Sequence, residues 1–107
     1  MSATIDGDLA EVVARRLAAL GEPTRLKLVV ELRVRENATV HELARAVDAP
    51  LPNVSKHLQI LYQAGLVVRS KEGTFVRYRL AGDAVSALVT YAVRILGSGT
   101  QRARLAA

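Results

Sequence analysis

Two closely spaced prolines restrict the middle of this 107-residue chain more than any other feature of its sequence. Pro50 and Pro52 allow a helix to begin near Leu51 but not to run through this point, because proline lacks the N–H that a helix interior needs. Asp48, just before them, can adopt the left-handed conformation of a tight turn. The prolines therefore predict a turn followed by a new helix from about Leu51 to Ala64.

The helices on either side of this turn have their own signals. Thr39 and Glu42 stand three residues apart, as in a capping box, and predict the start of a short helix that ends near Val47. After the turn, apolar residues at helical spacing form an inner stripe. The residues of this stripe are Val54, Leu58 and Leu61. The sequence therefore predicts two short helices joined by a tight turn, with Gly65 ending the second.

Apolar periodicity also places helices at both ends of the chain. It predicts a first helix at about 8–20, a second at 23–35 with Pro23 in its first turn, and a last helix at about 85–96. The last helix is apolar around more than one stripe, which is more than a lone terminal helix should expose. We therefore expect this helix to pack against a second partner.

A β-hairpin is predicted between the middle and last helices. Strands are expected at 66–68 and 75–80, joined by a tight turn at Glu72-Gly73. In the second strand, alternation separates a packing face from a basic face. The packing face holds Val76, Tyr78 and Leu80, and the basic face holds Phe75, Arg77 and Arg79. The expected fold class is α+β, mainly α with a small hairpin, in the order ααααββα.

The composition excludes several kinds of site. The chain has no cysteine, which rules out a disulfide framework, a thiolate metal site and a cysteine nucleophile. With two histidines, no glycine-rich phosphate loop and no paired acid-base constellation, an enzyme is not expected. No signal peptide or membrane span is visible, so we expect a soluble cytoplasmic protein. Nothing divides the chain, so we expect a single domain over 1–107, with flexible tails at 1–7 and 98–107.

The basic residues are concentrated in one third of the chain. The formal net charge is +5, and residues 50–80 contain five basic side chains and one acid. A helix with a polar outer face fits the DNA major groove, while a basic hairpin reaches phosphates or the minor groove. Asn53, Lys56 and Gln59 are predicted to read bases, asparagine or glutamine pairing with adenine. The other predicted DNA contacts are Ser55, His57, Arg69, Lys71, Thr74, Arg77 and Arg79.

Five spaced motifs in the chain are distinctive as a set. They are LGEPTRLKLV at 20–29, ELA at 42–44, VSKHL at 54–58, LYQAGL at 61–66 and GTFVRYRL at 73–80. Together they resemble the ArsR/SmtB family of transcriptional regulators, over about residues 9–96. The resemblance implies a winged helix-turn-helix fold and a homodimer, usually a repressor that an effector releases from DNA.

The resemblance also implies that the terminal helices form the dimer interface, which agrees with the excess of apolar residues on the last helix. The candidate interface residues are Leu9, Val12, Val13, Val85, Leu88, Val89, Ala92 and Leu96. A twofold dimer places two recognition helices about one DNA turn apart. The expected operator is therefore an imperfect palindrome.

The chain departs from this family at the metal sites. Many relatives have a cysteine pair at the start of the third helix, where this chain has Thr39 and His41. The positions that match a second site, on the last helix, are Gly82, Ala84, Ile95 and Ser98. We therefore predict that the protein has no cofactor and lacks both metal sites that are usual in this family. The effector stays open between a small molecule, a partner protein and a divalent metal at a non-standard site of His41 with Glu42 or Asp48.

Two alternatives to a plain DNA-binding repressor follow from these residues. One is a winged helix used as a protein-protein interaction module, since a fold does not fix a function. The other is a regulator that senses a divalent metal at the His/carboxylate site. The basic hairpin beside a polar helix face favours DNA over a protein partner, which would not need that charge.

Overall fold

The structure, a computed structural model, describes residues 4–98. The helices are α1 (Gly7–Leu20), α2 (Pro23–Arg35), α3 (Val40–Val47), α4 (Leu51–Gln63) and α5 (Asp83–Gly97), and the strands are β1 (Ala38–Thr39), β2 (Val67–Glu72) and β3 (Phe75–Leu80). The predicted helices are all present. The parts of the predicted tails at 1–3 and 99–107 lie outside the described residues.

The first two helices begin at side chains that cap them. The Asp6 carboxylate accepts a hydrogen bond from the Leu9 N–H at 2.8 Å, so α1 begins at Gly7, inside the segment that was predicted to be a tail. The Glu22 carboxylate caps α2 by accepting from the Arg25 N–H at 2.8 Å. Both helices therefore start where an acceptor satisfies an unpaired N–H group.

The helix-turn-helix prediction is confirmed in detail. Thr39 Oγ1 accepts from the Glu42 N–H at 3.2 Å, and the Glu42 carboxylate accepts from the Thr39 N–H at 2.9 Å, which completes the capping box of α3. Asp48 ends α3 with a φ of 53°, in the left-handed region. The α4 helix then begins at Leu51, and Gly65 follows its end with a φ of 76°.

The sheet has three antiparallel strands in the order β1-β3-β2, one more than predicted. The missed strand, β1, is two residues long and pairs Ala38 with Tyr78 of β3. The hairpin turn was also predicted one residue too early. Glu72 pairs with Phe75 in the ladder, so the turn residues are Gly73 and Thr74, and Gly73 has a φ of 63°. Glycine adopts that conformation without strain because it has no Cβ.

One hydrophobic core collects side chains from every helix. Its fully buried members come mainly from α2, α3 and α4, with Val67 from β2 and Val89 from α5. The predicted α4 stripe is part of it, since Val54, Leu58 and Leu61 are all completely buried. The α1 helix adds only Ala19 and Leu20 at its C-terminal end. The outer face of α4 is therefore held by the packing of its inner face.

A strained residue at the end of α2 gives a test of this backbone. Glu36 has a φ of 73° and a ψ of −47°, a conformation that residues with a Cβ rarely adopt. We expect Glu36→Gly to raise the free energy of unfolding by about 1 kcal/mol, because glycine removes that strain. Chemical denaturation measures the change. Glu36→Ala keeps the Cβ and should give no gain; an equal gain in both variants would contradict the explanation.

Candidate nucleic-acid interface

The outer face of α4 is exposed and polar. Pro50 opens the helix without a side-chain cap, and the three buried residues of the inner stripe fix which side faces outward. Asn53, Lys56 and Gln59 are all exposed on the opposite side, one helical turn apart. Ile60, which is 36% exposed, also lies on this face and was not among the predicted site residues. The face therefore offers hydrogen-bonding groups and one apolar contact.

The hairpin β2-β3 carries its basic residues on both faces. Arg69 pairs with Tyr78 and Lys71 with Val76, so these two cations share a face with the side chains that pack inward. Arg77 and Arg79 lie on the other face, as predicted. The basic residues of the hairpin therefore do not form the single basic surface that alternation in β3 suggested.

Arg69 contacts the outer part of α4. Its Nη1 donates a hydrogen bond to Gln59 Oε1 at 3.1 Å, and its guanidinium carbon lies 3.9 Å from the centre of the Tyr62 ring. A hydrogen bond with the hydroxyl of Tyr78 raises the pKa of Arg69. Arg69 therefore links β2 to two residues of the candidate recognition helix.

Arg77 is held by three neighbours within the chain. It donates from Nε to Glu72 at 3.0 Å and from Nη1 to Asn37 at 2.8 Å, and Nη1 lies 3.6 Å from Glu42 Oε1. The hydrogen bond from the Thr39 N–H lowers the pKa of Glu42, and Arg77 lowers it further, against a partial burial that raises it. The prediction treated Arg77 as a DNA contact; the structure places it between β3 and the start of α3.

His57 is also occupied by neighbours in the chain. Its Nδ1 lies 3.2 Å from Nη1 of Arg25 and 3.8 Å from Oε1 of Glu22, both on the first turn of α2. Because arginine only donates, Nδ1 is the acceptor in the Arg25 contact. The hydrogen bond from the Arg25 N–H lowers the pKa of Glu22, against a partial burial that raises it. His57 thus joins α2 to α4.

The remaining predicted DNA contacts are exposed and unoccupied. Within residues 4–98, Lys56, Lys71 and Arg79 make no ion pair. Ser55 and Thr74 are exposed as well, the first beside the outer face of α4 and the second in the hairpin turn. Within residues 4–98, Lys56, Lys71 and Arg79 are therefore available to a ligand without the loss of an ion pair.

The terminal helices expose a large apolar surface. On α5, Leu96 is 78% exposed and Tyr91 is 67% exposed. The other exposed apolar residues of the two helices are Leu9, Val12, Val13, Leu17, Leu88 and Ile95. Val89 was predicted to belong to the interface, but it is only 1% exposed because it packs in the core of its own chain. Val85 and Ala92 are partly buried.

Comparison with known proteins identifies the family. A model of a helix-turn-helix domain family matches residues 20–70. The HTH-type transcriptional repressor SmtB of Mycobacterium tuberculosis is 38% identical over 90 residues, which make up 84% of this chain and 66% of SmtB, just under two thirds of that protein. The regulator NmtR of the same organism is 35% identical over 92 residues, covering 86% of this chain and 76% of NmtR.

A solved structure adds the fold. The homodimeric winged helix-turn-helix DNA-binding domain of a possible ArsR-family regulator from Mycobacterium bovis matches with a TM-score of 0.79 and 31% identity. The match covers 95% of this chain and 94% of that domain. This chain belongs to the ArsR/SmtB family. This is a family of DNA-binding transcriptional regulators, and the predicted winged helix-turn-helix fold class is confirmed.

The residues at the metal positions of ArsR/SmtB relatives have other roles here. Thr39 is buried and forms the capping box, and the carboxylate of Glu42 is taken by the Thr39 N–H and Arg77. His41 lines one groove with Asp48 and another with Glu42. In the described part of the chain, no three His, Asp or Glu side chains are placed together to hold a metal ion. None of its helices is long and apolar enough to cross a membrane.

The lowered pKa of Glu42 leads to a prediction about acid stability. The folded chain binds a proton at Glu42 less readily than the unfolded chain does. The charged Glu42 carboxylate therefore stabilises the fold at pH values above its ordinary pKa of 4.5, and this stabilisation is lost as the pH falls below that value. We expect Glu42→Gln to flatten the fall in melting temperature between about pH 5 and pH 3.

The control for this measurement is Glu11→Gln, an exposed residue of α1 outside the Arg77 network. Its melting temperature should follow that of the original protein across the same pH range. If Glu42→Gln loses stability in acid as steeply as the control does, the carboxylate of Glu42 has no special role in the folded chain.

Proposed function

We propose that this regulator is a homodimeric, sequence-specific repressor that places α4 in the major groove of a palindromic operator. The observation that carries the proposal is the outer face of α4, where Asn53, Lys56 and Gln59 are exposed while the opposite face is locked in the core. Amide and ammonium groups on successive turns of one helix can meet base edges in the major groove. Ile60 on the same face can contact a thymine methyl group.

We assign phosphate contacts to the cations of α4 and the hairpin that make no ion pair within residues 4–98. Lys56, Lys71 and Arg79 meet this condition, whereas Arg77 holds Glu72, Asn37 and Glu42. A cation already paired with a carboxylate gains less from a phosphate, because the existing pair must be broken first. We therefore assign Arg77 and His57 to positioning the hairpin and α4. The hydroxyls of Ser55 and Thr74 can donate to phosphates as predicted.

Homodimerisation is supported by the apolar faces of α1 and α5. An apolar surface of this extent on a small domain marks an interaction site. The matched Mycobacterium bovis domain is described as homodimeric. We propose that residues 4–98 form a single domain whose interface comprises Leu9, Val12, Val13, Leu88 and Leu96, flanked by Val85 and Ala92. A twofold arrangement then presents one α4 to each operator half-site.

Repression is proposed from the relatives. SmtB of Mycobacterium tuberculosis is named as a transcriptional repressor, and the arsenical resistance operon repressor of Escherichia coli is 37% identical over 62 residues. Repression by a winged helix needs only that the bound dimer occupy the operator. The proposed function follows from the α4 face and its charges, whatever signal releases the dimer.

Reversing two unpaired charges tests the DNA interface. We expect Lys56→Glu with Arg79→Glu to weaken binding about a hundredfold or more, because each change replaces a phosphate attraction with a repulsion. Fluorescence anisotropy with duplexes selected from a randomised library measures the affinity. Binding of the original protein should also fall steeply between about 50 and 200 mM salt.

The matched control reverses two charges on α2. Lys27 and Arg33 are exposed there and lie outside the α4 and hairpin surface. Lys27→Glu with Arg33→Glu should weaken binding far less than the interface pair, since only the net charge changes. Equal losses in the two double variants, with unchanged thermal melts, would place the DNA interface elsewhere.

A single charge on α5 tests the dimer. We expect Leu88→Asp to yield a monomer in light scattering, because a buried carboxylate without a partner is costly in an apolar interface. Val34 of α2 is 68% exposed and lies outside the terminal helices, so Val34→Asp is the matched control and should stay dimeric. A dimer that survives in the Leu88→Asp variant would contradict the proposed interface.

A further inference from the structure

Arg69 of β2 binds Gln59 of α4 through a side-chain hydrogen bond. Gln59 lies on the outer face of α4, and Arg69 Nη1 donates to its Oε1 at 3.1 Å. The Tyr62 ring lies 3.9 Å below the guanidinium, a cation–π arrangement that fixes the plane of the arginine fork. Arg69 is therefore stacked on the Tyr62 ring while it donates a hydrogen bond to Gln59.

The chemistry of arginine fixes the direction of the Gln59 amide. A guanidinium has five N–H donors and no acceptor, so only the oxygen of Gln59 can face it. The NH₂ group of the amide is then directed away from Arg69. A free glutamine can turn its oxygen and its NH₂ toward a base equally well. In this arrangement Arg69 engages one of the two lone pairs of the Gln59 oxygen and fixes its direction, so the NH₂ donors are the groups offered first to an incoming base.

This restriction changes which base Gln59 can read. Bidentate pairing of glutamine with adenine uses the amide oxygen to accept from N6 and the NH₂ to donate to N7. Guanine presents two acceptors, N7 and O6, at its major-groove edge. An amide whose oxygen is held by arginine therefore fits guanine better than adenine, contrary to the adenine pairing that the sequence alone suggested.

We propose that Arg69 is a positioning residue that sets the base preference of Gln59, turning it toward guanine. The inference rests on the proposed function, since it requires α4 to lie in the major groove. Arg69 acts here through the glutamine, and Tyr62 acts through Arg69. Specificity at one base pair of each half-site thus depends on a residue of the hairpin.

The test is a selection of bound duplexes from a randomised double-stranded DNA library, read by sequencing. The original full-length dimer is compared with Gln59→Ala, which identifies the base pair that Gln59 contacts. Arg69→Leu removes the donor, and we expect it to shift that same base pair from guanine toward adenine by roughly tenfold in relative affinity. Tyr62→Leu, which loosens Arg69 without removing it, should shift the preference in the same direction by less.

Lys71→Leu is the matched control, because Lys71 is another hairpin cation, on the same face of the sheet, and makes no ion pair within residues 4–98. It should weaken binding to all sequences about equally and leave the selected sequence unchanged, as expected of a phosphate contact. Thermal melts test whether each variant is folded. If Arg69→Leu does not fold, the base preference of Tyr62→Leu tests the inference in its place.

Each outcome bears on a definite claim. The inference is overturned if Arg69→Leu weakens binding to all sequences equally and keeps guanine at the Gln59 position, which is the result expected of Lys71→Leu. It is overturned as well if Gln59→Ala changes the preference at no base pair. It is also overturned if the original protein already selects adenine at the Gln59 position. If the original protein selects no sequence at all, the proposed function itself fails, which is a separate result.

Discussion

The burial of one stripe of α4 is the constraint on which the rest of the structure depends. Val54, Leu58 and Leu61 are completely buried, and α4 contacts α1, α2, α3 and β2. The helix has thirteen residues and no side-chain cap at Pro50, and an isolated helix of that length is marginal in water. Tertiary packing therefore holds α4 and sets its rotation, which decides which polar groups face outward.

Three arginines join this helix and the hairpin to the surrounding elements. Arg25 links α2 to α4 through His57, Arg69 links β2 to α4 through Gln59, and Arg77 links β3 to the start of α3. The contacts of Arg69 and Arg77 are exposed, and exposed polar pairs each contribute little to stability, about 0–1 kcal/mol. Their importance is geometric, because each contact spans two elements of the DNA-binding unit. On α4 and the hairpin, Lys56, Lys71 and Arg79 lie outside these contacts, which is why we propose them as the phosphate contacts.

The sequence predicted what depends on neighbours along the chain. The capping box at Thr39, the left-handed Asp48 and the start of α4 after Pro50 are local, and the structure agrees with all three. The arginine contacts are different, since Arg77 and Asn37 are 40 residues apart and Arg25 and His57 are 32 apart. The periodicity of apolar residues along the sequence does not reveal contacts between residues so far apart. Two-residue β1 was missed for the same reason, because only its pairing with β3 makes it a strand.

The α2 helix is the element common to the two proposed interfaces. Its first turn holds α4 through Arg25 and His57, and α2 also contacts α5, whose exposed face is the proposed dimer surface. Core side chains such as Leu28 and Leu32 are fully buried, and close-packed interiors transmit displacement rather than absorb it. In the proposed dimer, the separation of the two α4 helices therefore depends on how α5 packs on α2. A change in that packing would alter the distance between the two α4 helices, and so the half-site spacing that the dimer fits, without any ligand touching the polar face of α4.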